Sequence, residues 1–329
     1  MRLLALIALS LFMSLGAPVL ASAQALPGLE PLAFSLSPKY PRPYDTVQVK
    51  IESTLINLAA SEITFTANGE VVGERSRSAS ITFGGPGSKM VIGVSVVAPE
   101  GTFTKELTIY PSDVALLIEP LSTAHPFYQG ARLVASEGKV RLIALPDFTT
   151  PSGTKIPPSE LSYTWRFGDR LLQDFSGLGQ NVLTATAPVR HRDARVTVTV
   201  TSKDGAYVAE ATRMVSPRDP VMRIYRSDLL SGILFERALT GTVSIASTEE
   251  TLRMVPFFFS NTPSQVWTLN GNSAGAGANL TLRITGSDTG TASVRASASE
   301  EGNLLPRLAE TGITVEFDGR KSSTNAFGL

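Results

Sequence analysis

Beyond residue 25 the chain is built from short runs in which apolar and polar side chains alternate. Thr46-Val-Gln-Val-Lys-Ile-Glu52 and Arg195-Val-Thr-Val-Thr-Val-Thr201 both alternate strictly. In an extended strand this places Val196, Val198 and Val200 on one face and the threonines on the other. Such strands pack on one side and meet water on the other. Clusters of Gly, Pro, Asn and Asp separate the runs, as turns between strands require. No segment sustains a helical period. The nearest approach, Met222 to Leu234, is interrupted by Ser231-Gly232. The pattern predicts an all-β chain.

A short motif recurs at intervals of roughly one hundred residues, the size of a small domain. It reads Phe65-Thr-Ala-Asn-Gly69, then Trp165-Arg-Phe-Gly168, then Trp267-Thr-Leu-Asn-Gly271. A strand precedes each copy, at 47–51, 140–145 and 251–255. A turn follows later, at Ala98-Pro-Glu-Gly101, Ser202-Lys-Asp-Gly205 and Ser299-Glu-Glu-Gly302. Glycine accepts positive φ, so each of these is expected to be a tight hairpin. A last strand is expected at 104–109, 208–215 and 313–317. Tyr110-Pro111 and Ser216-Pro217 close the first two units, since proline stops a strand. The expected domains are therefore 30–112, 113–217 and 218–319, joined by short proline-containing linkers that favour extended connections.

The N-terminus reads as a targeting segment. Arg2 is followed by an apolar run from Leu3 to Leu15, the breakers Gly16 and Pro18, and Ala21-Ser22-Ala23. This is the order of a secretory signal peptide, expected over residues 1–23 with cleavage before Gln24 or, alternatively, after Ala25. The apolar run is shorter than the roughly 20 residues a spanning helix needs. Residues 24–29 form a short N-terminal segment, and 320–329 is expected to be a disordered polar tail. The chain has no cysteine. An exported protein of this kind must hold its domains by packing alone, which units of this size can do. Lys and Arg number 29, as do Asp and Glu, for zero formal net charge. That balance argues against nucleic acid or an anionic membrane as partner.

Tyr163-Thr-Trp165-Arg-Phe167-Gly168-Asp169 resembles the signature of PKD domains, immunoglobulin-like sandwiches common on bacterial surfaces. Arg170 stands where that signature closes with glycine. The other repeats keep only the aromatic residue and Asn68-Gly69 or Asn270-Gly271. The stretch 161–181 is also similar to exported immunoglobulin-like proteins of bacteria. The resemblance implies tandem immunoglobulin-like sandwiches, a surface or envelope setting and no chemistry. In such sandwiches a buried aromatic residue anchors a central strand. Phe65, Trp165 and Trp267 are the expected anchors. The alternative is that the tryptophans are exposed and stack on sugar rings.

Candidate sites are few. Gly84-Gly-Pro-Gly-Ser-Lys89 lacks the spacing of a phosphate loop and lies between strands. Gly275-Ala-Gly277 lacks the third glycine of a dinucleotide fingerprint and is expected to be a flexible loop. His125 and His191 fall in different repeats, without cysteines or further histidines to complete a zinc site. No Gly-x-Ser-x-Gly elbow is present to pair with either. Adjacent carboxylates such as Glu249-Glu250 point to opposite strand faces and do not flank a cleft. Calcium at a junction, through Asp113 or Asp219, stays open. The densest basic stretch contains Arg190, His191, Arg192 and Arg195. It reads as a solvated loop or as an anion contact. Phe257-Phe-Phe259 exceeds what one core face needs. Alternation places Val255, Phe257 and Phe259 together and Phe258 on the other face, as a docking patch or an inter-domain contact. His125-Pro-Phe-Tyr128 is expected to wedge the junction of the first two units.

The sequence therefore predicts an exported, all-β protein of three tandem immunoglobulin-like or PKD-like sandwiches. No catalytic, cofactor or metal residue is assigned. The candidate binding surface is Arg190, His191, Arg192, Arg195 and Phe258. The expected function is a structural or adhesive role at the cell envelope or surface. The expected partner is an envelope or surface protein, or alternatively a glycan.

Overall fold

The computed structural model describes residues 30–245, 247–285 and 289–318. The expected signal peptide, its cleavage site and the expected tail from residue 320 lie outside them. The chain divides into two compact units. One contains residues 30–37 with Val47–Ile81 and Val91–Leu107; the other contains Pro38–Thr46, Thr82–Met90 and the chain from Thr108 onward.

The first sandwich has seven strands: β1 (Ala33–Ser37), β2 (Thr46–Glu52), β3 (Glu62–Ala67), β4 (Glu70–Glu74), β5 (Ser78–Thr82), β6 (Met90–Ala98) and β7 (Gly101–Ile109). They form the sheets β1-β2-β5 and β4-β3-β6-β7. The alternation read in β2 turns Val47, Val49 and Ile51 inward, where they are buried with Ile63, Phe65, Ile92, Val94 and Val96.

The second sandwich repeats this order. Its strands are β8 (Asp113–Pro120), β9 (Lys139–Asp147), β10 (Ser162–Phe167), β11 (Arg170–Leu171), β12 (Gly177–Leu178), β13 (Val182–Thr186), β14 (Ala194–Thr201) and β15 (Val208–Val215). The sheets are β13-β9-β8 and β11-β10-β14-β15, with β12 also on β10. In the third, the strands are β16 (Val221–Asp228), β17 (Gly232–Ile233), β18 (Gly241–Ile245), β19 (Glu249–Phe257), β20 (Ser264–Leu269), β21 (Asn272–Ala276), β22 (Asn279–Arg283), β23 (Thr289–Glu300) and β24 (Arg307–Asp318). They form β17-β16-β19-β22 and β18-β24-β23-β20-β21. Strand β18 runs parallel to β24, whereas the ladders around it are antiparallel. This strand order, with two facing sheets joined by Greek-key crossings, is immunoglobulin-like in all three sandwiches.

The repeated motif marks the same place each time. Phe65, Trp165 and Trp267 are buried on β3, β10 and β20. The indole N–H of Trp165 donates to the carbonyl of Gln180 at 2.8 Å, and that of Trp267 to Gly277 at 3.0 Å. A buried indole needs such a partner. Asn68-Gly69 and Asn270-Gly271 turn the chain with φ of 50° and 89°, and 51° and 82°, the two left-handed residues of a type I′ hairpin. Asn68 also exchanges bonds with Val91: its N–H donates to the carbonyl at 2.8 Å and its Oδ1 accepts the N–H at 2.9 Å. Asn270 does the same with Ser293, at 2.8 Å for both bonds. In the second sandwich Gly168 keeps only the backbone half, donating to the carbonyl of Arg195 at 2.7 Å.

Three local expectations need correction. Gly275-Ala-Gly277 is no flexible loop: β21 runs through Ala276, and the Gly277 carbonyl holds the buried indole. The last hairpin is not tight, because β23 ends at Glu300 and β24 starts only at Arg307. The Phe257–Phe259 faces also differ. Phe259 lies in the core with Leu252 and Met254, whereas Phe257 and Phe258 lie outside it with Val255. The cause is Phe258, whose φ of 65° ends the strand and resets the alternation.

Candidate interaction surfaces at the junction of the second and third sandwiches

The junction is assembled from the loop joining β8 to β9, the loop joining β13 to β14, and two loops at the near end of the third sandwich. Backbone pairing starts it. Thr123 N–H donates to the Phe259 carbonyl and Phe258 N–H to the Thr123 carbonyl, both at 2.7 Å. Thr123 Oγ1 accepts the Phe259 N–H at 3.1 Å. The strand-like pairing of β19 thus continues into the preceding sandwich beyond its own last residue.

An aromatic cluster covers this seam. In His125-Pro-Phe-Tyr128 the Phe127 N–H donates to His125 Nδ1 at 3.0 Å and the Tyr128 N–H to the His125 carbonyl at 3.1 Å. That turn aims His125 and Tyr128 at the third sandwich. The imidazole stacks on Phe235 with centroids 4.2 Å apart and meets Phe257 edge-on at 5.3 Å. Tyr128 packs on Phe257 and Phe258, each at 5.6 Å. Burial among uncharged rings pushes the His125 pKa down, because it disfavours the imidazolium. The expected wedge therefore sits between the second and third sandwiches, since its partners Phe235, Phe257 and Phe258 all come from the third. Phe258 is 5% exposed, so it is an inter-domain contact and no docking patch. Phe127 is left on the rim, 74% exposed.

The seam also holds a buried ion pair. Arg307 and Glu300 form an ion pair with side chains only 7% exposed each. Arg307 Nε donates to Glu300 Oε2 at 3.0 Å, and its Nη1 crosses to the Ser136 carbonyl at 2.7 Å. Its Nη2 lies 2.9 Å from Glu300 Oε1 and donates to the Glu301 carbonyl at 3.0 Å. The Glu300 oxygens also accept the N–H groups of Ser260 and Asn261 and the Asn261 amide, at 2.7–3.0 Å. A buried pair survives desolvation only with this kind of full satisfaction. In return, Glu137 reaches into the third sandwich and accepts the N–H groups of Leu304 and Leu305 at 3.0 and 3.3 Å. The loop between Glu300 and Arg307 presents these two N–H groups.

All four basic residues of the stretch are exposed. Arg190 is tied to the junction: its N–H donates to Ser136 Oγ at 2.9 Å and its guanidinium lies 3.5 Å from Asp219. His191 (φ 63°) turns the loop outward, and His191, Arg192 and Arg195 are exposed. Asp113 pairs with Arg42 at 3.0 Å, so both aspartates weighed for calcium face an arginine. No group of three metal-binding side chains gathers among the described residues. Nor is any helix among them long and apolar enough to cross a membrane. The Leu304 and Leu305 contacts of Glu137 and the inward turn of Glu300 were missed in the sequence. The only signal was the length between the Glu300 and Arg307 charges.

No protein-family model and no curated relative matches the chain. Solved structures that match include tandem-domain proteins. Three N-terminal domains of the highly immunogenic outer capsid protein of bacteriophage RB49 are 12% identical, covering 87% of this chain and 98% of that one, at a TM-score of 0.27. Fibronectin(III)-like modules of Clostridium thermocellum CbhA are 10% identical, covering 65% and 100%, at 0.24. The first five immunoglobulin domains of Sidekick-1 are 10% identical, covering 84% and 57%, at 0.27. These scores carry no argument about function, and the fold assignment rests on the strand order described above.

Proposed function

We propose that this chain is a non-catalytic, exported protein of the cell envelope or surface, with a structural or adhesive role exercised through protein–protein binding. One observation carries the reading: the second and third sandwiches are fastened to each other by paired backbone, an aromatic cluster and a buried ion pair. Fastening of this kind suits a protein that holds surfaces at a set geometry, and relative motion is the default where an interface lacks it. The PKD-like reading of the second sandwich is supported by Tyr163 and Trp165. Both are buried, and the tyrosine O–H donates to the Pro158 carbonyl at 3.0 Å. Export rests on the pattern of residues 1–23.

The glycan alternative keeps one supporting observation. With both tryptophans buried, the remaining stacking surface is exposed Phe127 beside the His125–Phe235 pair. The deciding experiment uses residues 24–329 as bait in a cross-linked pull-down from the envelope of the source organism. A single stoichiometric surface protein supports the proposal. Recovery of polysaccharide alone, lost on Phe127→Ala, replaces it with the glycan reading, and recovery of nothing removes specific assembly.

A further inference from the structure

His125 enters the junction as a hydrogen-bond acceptor. Its Nδ1 accepts the Phe127 N–H at 3.0 Å, and the His125 carbonyl accepts the Tyr128 N–H at 3.1 Å. A ring nitrogen that accepts carries no hydrogen, so the imidazole is neutral with its hydrogen on Nε2. A second proton would set an Nδ1–H against the Phe127 N–H and undo the bond that shapes the turn. That turn places the ring on Phe235, 4.2 Å away and 15° from parallel, and places Tyr128 on Phe257 and Phe258. One side chain therefore both shapes the second-sandwich half of the seam and stacks on the third-sandwich half.

The charges around the ring do not favour a second proton. On its own loop Arg132 donates to the Ser122 carbonyl at 3.3 Å, and Tyr128 is the other titratable side chain. From the third sandwich, β16 and β19 carry Arg223 and Arg253 on the face that bears Tyr225, Val255 and Phe257. Glu236 is the one carboxylate beside the aromatic cluster; it flanks Phe235 together with Arg237, and both are exposed. A phenyl face attracts a cation, but burial outweighs this and lowers the His125 pKa. The seam also contains an element with two arrangements. Phe258 sits at φ 65°, unfavourable for a bulky residue, while its N–H donates to the Thr123 carbonyl across the junction at 2.7 Å. Parted from Thr123, it is free to return to extended backbone.

We propose that the aromatic seam is an acid-released latch: a proton on His125 Nδ1 removes the acceptor that shapes the His125–Tyr128 turn and frees that turn from the third sandwich. Release uncovers Phe235, Phe257 and Phe258 beside Phe127, which is already exposed. The Arg307–Glu300 network contains no histidine, so the change is confined to the aromatic contacts and the Thr123 pairing. The sign follows from the closed seam holding the neutral ring. Closure is complete above the free-histidine value of about 6.5 and is lost as pH falls toward the lower value of the buried ring. The inference concerns the junction alone and stands whatever the chain binds and wherever it resides.

The test is amide exchange on residues 24–329, expressed as protection factors so that the intrinsic effect of pH is removed. Between about pH 7.5 and about pH 5, wild-type protection at Thr123 and Phe258 is expected to fall about threefold or more. Protection at Val198, buried on the central strand β14 of the second sandwich, is expected to hold. His125→Phe keeps a ring for Phe235 but offers no acceptor. His125→Asn keeps an acceptor for the Phe127 N–H but no ring. Neither titrates, so both are expected to give a flat profile at Thr123 and Phe258. Imidazole nitrogen NMR shifts of the wild type at the upper pH should place the hydrogen on Nε2, and the Phe127 amide resonance should move with the ring's titration. A flat wild-type profile, the wild-type pH response retained in either variant, or a hydrogen on Nδ1 would each overturn the proposal. So would an equal loss at Val198, which would make the change general acid unfolding.

Discussion

Replacing Arg307 by Met keeps most of its aliphatic volume and deletes its charge, at a side chain only 7% exposed. Glu300 then remains buried with three N–H donors but no counter-charge, and the carbonyls of Ser136 and Glu301 lose their guanidinium donor. Breaking a buried pair from one side costs about 3–5 kcal/mol. Spread over two sandwiches of combined size near 200 residues, that is a fall in Tm of roughly 6–20 °C. The control is Arg295→Met. Its ion pair with Glu310 spans 3.6 Å with side chains 64% and 45% exposed, and such pairs contribute about 0–1 kcal/mol. Calorimetry should show the Arg307 variant melting earlier and splitting one coupled transition into two. Hydrogen exchange should quicken at the Leu304 and Leu305 amides, which Glu137 holds across the seam. Adding Glu300→Gln to Arg307→Met should recover part of the loss, because no charge is then stranded. If Arg307→Met and Arg295→Met agree within 1 kcal/mol and the two amides keep their protection, the ion pair does not hold the junction.

Three further outcomes follow from the same geometry. Burial lowers the His125 pKa, so the folded state favours the neutral ring; its contribution is complete above the unfolded value of about 6.5 and is lost as pH falls toward the lower folded value. Tm measured against pH should drop on the acid side in wild type and flatten over that window in His125→Phe, and an identical acid slope in the two would assign the effect elsewhere. Asn68→Ala and Asn270→Ala each meet a φ near 50° and lose a bond to the facing strand, and should cost about 2 kcal/mol in chemical denaturation, with Gly replacements costing less. Gly302→Ala would place a methyl within 2.6 Å of Glu137 Oε2 and closer still to the Leu305 carbonyl, so it should loosen the junction by about 1–3 kcal/mol and expose the Leu304 amide to exchange; unchanged exchange there would refute the crowding.

What the sequence disclosed was what local physics decides. Alternation in β2 and β14 set the buried valines, and the spacing of Phe65, Trp165 and Trp267 exposed the repeat. Asn-Gly named the first and third hairpins because no other dipeptide accepts two left-handed residues as readily. The errors fall where a single backbone angle or a second domain decides. Phe258 was placed on the wrong side of a count by two because its own φ is positive, and period-two reasoning has no term for a residue that leaves the strand. Ser299-Glu-Glu-Gly302 has the composition of a tight turn, but Glu300 is drawn inward by Arg307, and the partner that decides this lies seven residues on.

The basic stretch teaches the same distinction about sites. Arg190, His191, Arg192 and Arg195 lie close in sequence and read as a solvated loop or an anion contact. The fold adds that the Arg190 N–H donates to Ser136 Oγ while its half-exposed guanidinium lies 3.5 Å from Asp219. Arg195 stands on β14 opposite Met214, and its carbonyl closes the turn at Gly168. Conversely, Leu229-Leu230 lies in the one segment whose spacing drifts toward a helical period, and nothing in its composition separates an exposed pair of leucines from a buried one. Only the pairing of β16 with β19, and the Asp228 bonds that fix the turn, send both side chains into solvent. Sequence identified the scaffold because the scaffold repeats. The contacts that fasten the second sandwich to the third occur once, where no internal repeat could reveal them.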